Sequence, residues 1–159
     1  MKKLLAFCIA PLAFAASAAN DMEVELISGF HATAHSPVAT GTDAQAYAYG
    51  VRGGTLLQAD GGARYRFSID CTGLDRMVNG KTVGTGHCAW SDAGGDLLYV
   101  SLQTGPEGNR YKISGGTGVW ADATGTIKTR FTYLPSPADN LYLGVEEGTG
   151  TLSRPKPGE

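Results

Sequence analysis

This sequence predicts an all-β chain folded as a single eight-stranded antiparallel β-barrel. Three observations carry that prediction. After the first eighteen residues helical periodicity is nearly absent, and short β-rich runs stand between clusters of Gly, Pro, Asp and Asn. Two of the runs alternate clearly. In ARYRFSID, Tyr65, Phe67 and Ile69 face one way while Arg64, Arg66, Ser68 and Asp70 face the other. In TIKTRFTY, Ile127, Phe131 and Tyr133 share a face, with Lys128, Arg130 and Thr132 opposite. One buried and one wet face is the pattern of an antiparallel sheet. Closing such a sheet removes the exposed edges that make open sheets aggregate.

The first element is a leader, not a strand. MKKLLAFCIAPLAFAASAAN has Lys2 and Lys3, an apolar run from Leu4 to Ala15, and small residues after it. Ala16-Ser17-Ala18 places Ala at both positions a signal peptidase reads, so residues 1–18 read as a bacterial-style secretory signal peptide. The run is well short of the roughly 20 residues a transmembrane helix needs. Bulky Phe7 before Cys8 argues against lipidation. The expected location is periplasmic or secreted, with a barrel domain over residues 19–153 and a flexible tail, RPKPGE, over 154–159.

Removing Lys2 and Lys3 from the 13 basic groups leaves 11 against 15 acidic ones, a formal balance of −4. No run of Lys and Arg survives in the sequence. Nucleic acid and anionic membrane are therefore not expected partners, and no membrane insertion is expected after cleavage. Cys8 leaves with the leader. The remaining even pair, Cys71 and Cys88, reads as a disulfide in an exported chain. A loop of this length would stabilise the fold by about 3 kcal/mol. The competing metal site, Cys71 with His87 and Cys88, is disfavoured because adjacent strand residues point to opposite faces.

In chain order the strands are expected near Met22–Phe30, Ala44–Val51, Ala63–Cys71, Thr82–Trp90, Asp96–Gln103, Arg110–Ser114, Thr124–Tyr133 and Leu141–Leu152. Gly53-Gly54 and Gly61-Gly62 read as connections flanking the third strand. Asp92 to Asp96 is a tight turn, Gly105 to Asn109 a hairpin loop, and Pro135 and Pro137 break the chain before the last strand. His31 to Thr42, rich in Ala, Ser and Thr, reads as a loop over one barrel mouth.

The segment ISGGTGVWADATGTIK, Ile113 to Lys128, tests three chemistries and fits none. A phosphate loop needs Lys directly after its last Gly and a helix beyond; Lys128 comes too late and a strand pattern follows. The dinucleotide fingerprint fails for the same reason, and the Gly-x-Ser-x-Gly elbow is absent. Glycine here bends strands at a barrel corner, and Trp120 is expected to plug the interior from the loop side.

GGTGVWADATGT is similar to the Gly-Gly-Thr-Gly-x-aromatic-x-Gly-x-Thr-Gly signature of allene oxide cyclase-like and dirigent-like barrel proteins. The likeness extends, more weakly, to VGTGHCAWSDAGGDLLYVSL, and covers about Cys71 to Tyr133. Asp122 departs from it, standing where the family usually has Gly. The resemblance implies a calycin-like, allene oxide cyclase-type barrel with a small apolar cavity in an exported bacterial member. It implies no catalytic residues, because the matched positions shape backbone.

Candidate chemistry is sparse. Glu23 and Glu25 alternate with Met22, Val24 and Leu26, so both are expected in water. Of adjacent Glu146 and Glu147 one would point inward in a regular strand; a bulge or strand end with both solvated is the preferred reading. His31 and His35 lack a third ligand, and Asp92 and Asp96 read as a turn, so no metal and no cofactor are expected. The aromatic set is richer. Tyr65, Phe67, Trp90, Tyr99, Trp120, Phe131 and Tyr133 are the candidate cavity lining for a small apolar or aromatic ligand. A solid core with tyrosine hydroxyls at the rim is equally open, since eight-stranded interiors are either filled or hold one small ligand. Three functions follow: binding of such a molecule, an isomerase or cyclase of the allene oxide cyclase type, or a non-catalytic structural or interaction protein with a filled barrel. A homo-oligomer is compatible with each.

Overall fold

The computed structural model describes residues 19–155. The expected signal peptide and residues 156–159 lie outside the described residues. The strands are β1 (Ala19–Ala34), β2 (Val38–Gly41), β3 (Ala44–Ala59), β4 (Arg64–Val78), β5 (Lys81–Asp92), β6 (Leu97–Gly105), β7 (Gly108–Gly116), β8 (Thr124–Leu134) and β9 (Leu141–Pro155). Every pairing is antiparallel. From β3 to β9 each strand pairs with the next in sequence, and β1 closes the tube by pairing with both β9 and β3. The fold is thus a closed eight-stranded antiparallel barrel with one extra short strand, β2, which pairs with the start of β3.

All eight expected strands are present, most of them longer than expected, and two connections are corrected. Gly53-Gly54 is not a turn but lies inside β3. A side chain at Gly53 would stand 2.1 Å from the Gly29 carbonyl oxygen and 2.8 Å from the Phe30 Cα, so glycine lets the backbones of β1 and β3 meet at the closing seam. The loop expected over His31 to Thr42 is mostly strand: β1 runs to Ala34, breaks at His35 to Pro37, and β2 continues along β3. Pro37 has no N–H for the ladder, which accounts for the break. β9 likewise runs through Arg154 and Pro155, into the expected tail.

The interior divides along the barrel axis. One half is solid, built on Leu26, Leu57, Trp90, Leu98, Ile113, Ile127 and Leu152. Trp120 plugs that end from a single 3-10 turn, Gly118–Trp120, as its sequence position suggested. Its ring lies 5.4 Å from Tyr65 and 5.3 Å from Phe67, and its Nε1 donates to Asp92 Oδ2 at 2.9 Å. That hydrogen bond, with backbone donors of the turn, lowers the Asp92 carboxyl below its usual range. Gly118 adopts φ 49°, and the Asp96 carboxylate occupies the space a Cβ would need. Arg154 stacks 5.4 Å over both Tyr65 and Trp120, sealing the plug from outside. Cys71 and Cys88 are directly paired across β4 and β5 and form the disulfide on the inner face.

Candidate ligand cavity at the open half of the barrel

The other half is hollow. A cavity of about 550 Å³ begins beside Ile69, Cys71 and Leu102 and opens at a mouth that includes Tyr133 and Tyr142. Alternation decides what faces it. On β4 the inward series Phe67, Ile69, Cys71 continues to Gly73 and Asp75; on β3 the partners of Gly73 and Asp75 are Tyr49 and Tyr47. Small residues on β4 and β5 leave the space that these larger groups fill. A Cβ on Gly73 would lie 2.4 Å from the Tyr49 hydroxyl, and one on Gly84 would meet the Asp75 carboxylate. Glycine thus serves as a shelf on which Tyr49 and Asp75 rest.

Two carboxylates face the cavity. Glu146 on β9 is 3% exposed, and its neighbour Glu147 is exposed. The expectation that both would be solvated is corrected: β9 is regular here, so its strict alternation sends one of the pair inward. Glu146 Oε2 accepts from the Tyr111 hydroxyl at 2.7 Å, and Oε1 accepts from Asn109 Nδ2 at 2.9 Å and from the Thr129 hydroxyl. Burial first, and the Glu146 charge second, hold the Tyr111 phenol well above its usual pKa.

Asp75 is held far less well. It is 9% exposed, and its one hydrogen bond is a long one, 3.4 Å from the Tyr47 hydroxyl to Oδ2. Oδ1 has no partner, nor has the Tyr49 hydroxyl. Burial raises the Asp75 carboxyl above the usual carboxylate range, and the Tyr47 hydrogen bond only partly opposes this. Burial, then the Asp75 charge, pushes the Tyr47 and Tyr49 phenols up to about 12. The Tyr133 phenol is raised by the same two causes.

The seven aromatic candidates fall in three places. Phe131 and Tyr133 line the cavity, their rings 5.1 Å apart. Tyr65, Phe67, Trp90 and Trp120 belong to the solid half. Tyr99 lies on the outer face, 45% exposed. Strand parity explains Tyr99: its neighbours Leu98 and Val100 are the buried ones. His87 also faces outward, opposite in sense to Cys88. Cavity residues outside the predicted lining include Tyr47, Tyr49, Asp75, Asn109, Tyr111 and Glu146, with His35 and Tyr142 beside them. The alternation of β4, carried past Cys71, is the signal that would have found Asp75.

Comparison with known proteins gives a likeness of fold. No family model matches the chain, and no curated protein matches it. Among solved structures it is similar to a pterocarpan synthase dirigent protein, with a TM-score of 0.52 and 10% identity, covering 95% of this chain and 100% of that one. The barrel is dirigent-like. In this dirigent-like barrel the glycine-rich stretch Gly115 to Gly125 forms the plugged end, whereas the wider span of the resemblance, Cys71 to Tyr133, also supplies cavity residues such as Asp75, Asn109, Tyr111 and Phe131.

Proposed function

We propose that this is an exported barrel protein that binds one small molecule, apolar or aromatic in its body, inside the open half of the tube. The observation that carries the reading is the cavity itself: about 550 Å³, walled largely by aromatic and aliphatic side chains, with a few polar groups converging in it. That is the usual size and composition of a small-molecule site. The half-hollow interior fits a filled structural barrel less well. Export is supported by the leader-like first eighteen residues and is compatible with the Cys71–Cys88 disulfide.

A second reading, catalysis in the same cavity, is favoured by one feature: buried carboxylates beside phenols are groups that can move protons. The dirigent neighbour is named a synthase, and an isomerase or cyclase here would use Asp75 or Glu146. Native mass spectrometry of protein purified from the compartment to which it is exported tests binding. The expected result is a retained small molecule, or failing that, binding of the neutral dye Nile red at one site. Absence of both a retained molecule and dye binding would sink the proposal. Turnover of a captured molecule, lost in Asp75→Asn, would move the reading from binding to catalysis.

A further inference from the structure

The cavity is chemically one-sided. Asp75 and Glu146 both line it, and among the described residues none that lines it is Lys or Arg. Two of its three unfilled hydrogen-bonding atoms can only accept. Asp75 Oδ1 has no partner. Asn109 Oδ1 has none either, and its identity as oxygen is fixed because the amide nitrogen must donate to Glu146. Both are acceptors. The third such atom, the Tyr49 hydroxyl, accepts as readily as it donates. Buried acceptors without donors are costly, a carboxylate most of all, and among the described residues no donor reaches Asp75 Oδ1.

Resting on the binding reading above, we propose that the ligand is an organic cation, a protonated primary or secondary amine on an apolar or aromatic body, with its nitrogen seated beside Asp75 among the tyrosines of the cavity. An ammonium group, like a guanidinium, donates and never accepts. An anionic ligand would meet two carboxylates, and among the described residues the one ionisable base in the lining is the exposed His35. A neutral alcohol would satisfy one acceptor and leave the charge of Asp75 unmatched. Tyr47, Tyr49 and Tyr133 all lie close enough to feel that charge, and a cation among aromatic rings gains further from their electron-rich faces. A metal ion is a poor occupant, because no group of three His, Cys, Asp or Glu side chains with metal-binding proximity occurs among the described residues.

Isothermal titration in phosphate buffer, free of competing amines, tests this with three probes of one shape: 2-phenylethylamine, 2-phenylethanol and phenylacetate. Binding of the neutral dye Nile red is measured on the same sample. The amine is expected to bind at least tenfold more tightly than the alcohol, and phenylacetate not measurably. In Asp75→Asn the amine should fall to the affinity of the alcohol, with the alcohol unchanged. An alcohol or phenylacetate that binds as well as the amine overturns the cation while leaving the cavity a binding site. Absence of Nile red binding and of every probe overturns the binding reading as well. The amine-to-alcohol ratio is read on the unmodified protein, so the outcome stands even where Asp75→Asn fails to fold.

Discussion

Asp75 and Glu146 occupy the same hollow under opposite conditions, and their variants should separate a structural carboxylate from a functional one. Glu146 receives three donors, from Tyr111, Asn109 and Thr129. Glu146→Ala strands all three, and we expect a loss of roughly 2–4 kcal/mol in urea unfolding, with Glu146→Gln losing less. Asp75 has one long contact and a raised pKa. Between the ordinary and the raised pKa its folded form therefore holds a proton that the unfolded chain has already released. Stability is highest below the ordinary Asp pKa and falls as pH climbs through the raised value. Asp75→Asn should remove that decline and raise the melting temperature at neutral pH; thermal melts across the acid range check it. A gain in stability joined to a loss of ligand preference would mark Asp75 as kept for binding. Neither residue was easily read from the sequence. Glu146 is one of two adjacent glutamates, and only strand regularity, which the sequence does not state, chooses between them. Asp75 lies beyond the point where β4 was expected to end.

At the level of elements, glycine is where the sequence was most misleading and most informative. Eight strands were legible because alternation and turn residues punctuate them, as in Tyr65, Phe67 and Ile69 on β4. Gly53-Gly54 looked like punctuation too, yet it marks a crossing of backbones that only the closed tube creates. Distant pairing of β1 with β3 is a tertiary fact, so no local pattern announces it. The two seam glycines should consequently respond differently. Gly53→Ala drives a methyl group into the Gly29 carbonyl and should cost roughly 1–3 kcal/mol. Gly29→Ala meets nothing within 4 Å and should be tolerated or mildly stabilising, since alanine restricts the unfolded chain. Denaturant midpoints for the two variants, measured side by side, decide the matter. Equal losses would mean the strands do not approach as described.

Across the whole molecule the barrel behaves as a solid base carrying a hollow cup, with the Cys71–Cys88 bridge at their boundary, in contact with both the core and the cavity floor. The base contains the plug of Trp120 and side chains with no exposure at all, such as Leu98, Ile127 and Leu152. The rim of the cup carries Tyr133 at 60% exposure and Tyr142 at 44%. Local opening follows packing, so strands sharing one hydrogen-bonded sheet should still differ in protection along their length. In hydrogen exchange, amides of β6 around Leu98 to Leu102 should exchange only by global unfolding. Those at the end of β8 and the start of β9, Tyr133 to Leu134 and Leu141 to Gly144, should exchange by local opening. Filling the cup should slow the second set and leave the first unchanged, because a ligand there adds contacts to the rim and none to the base. Uniform protection in the free protein would mean that the cup is as well packed as the base. Slowing of both sets together on ligand addition would place the bound molecule outside the cavity.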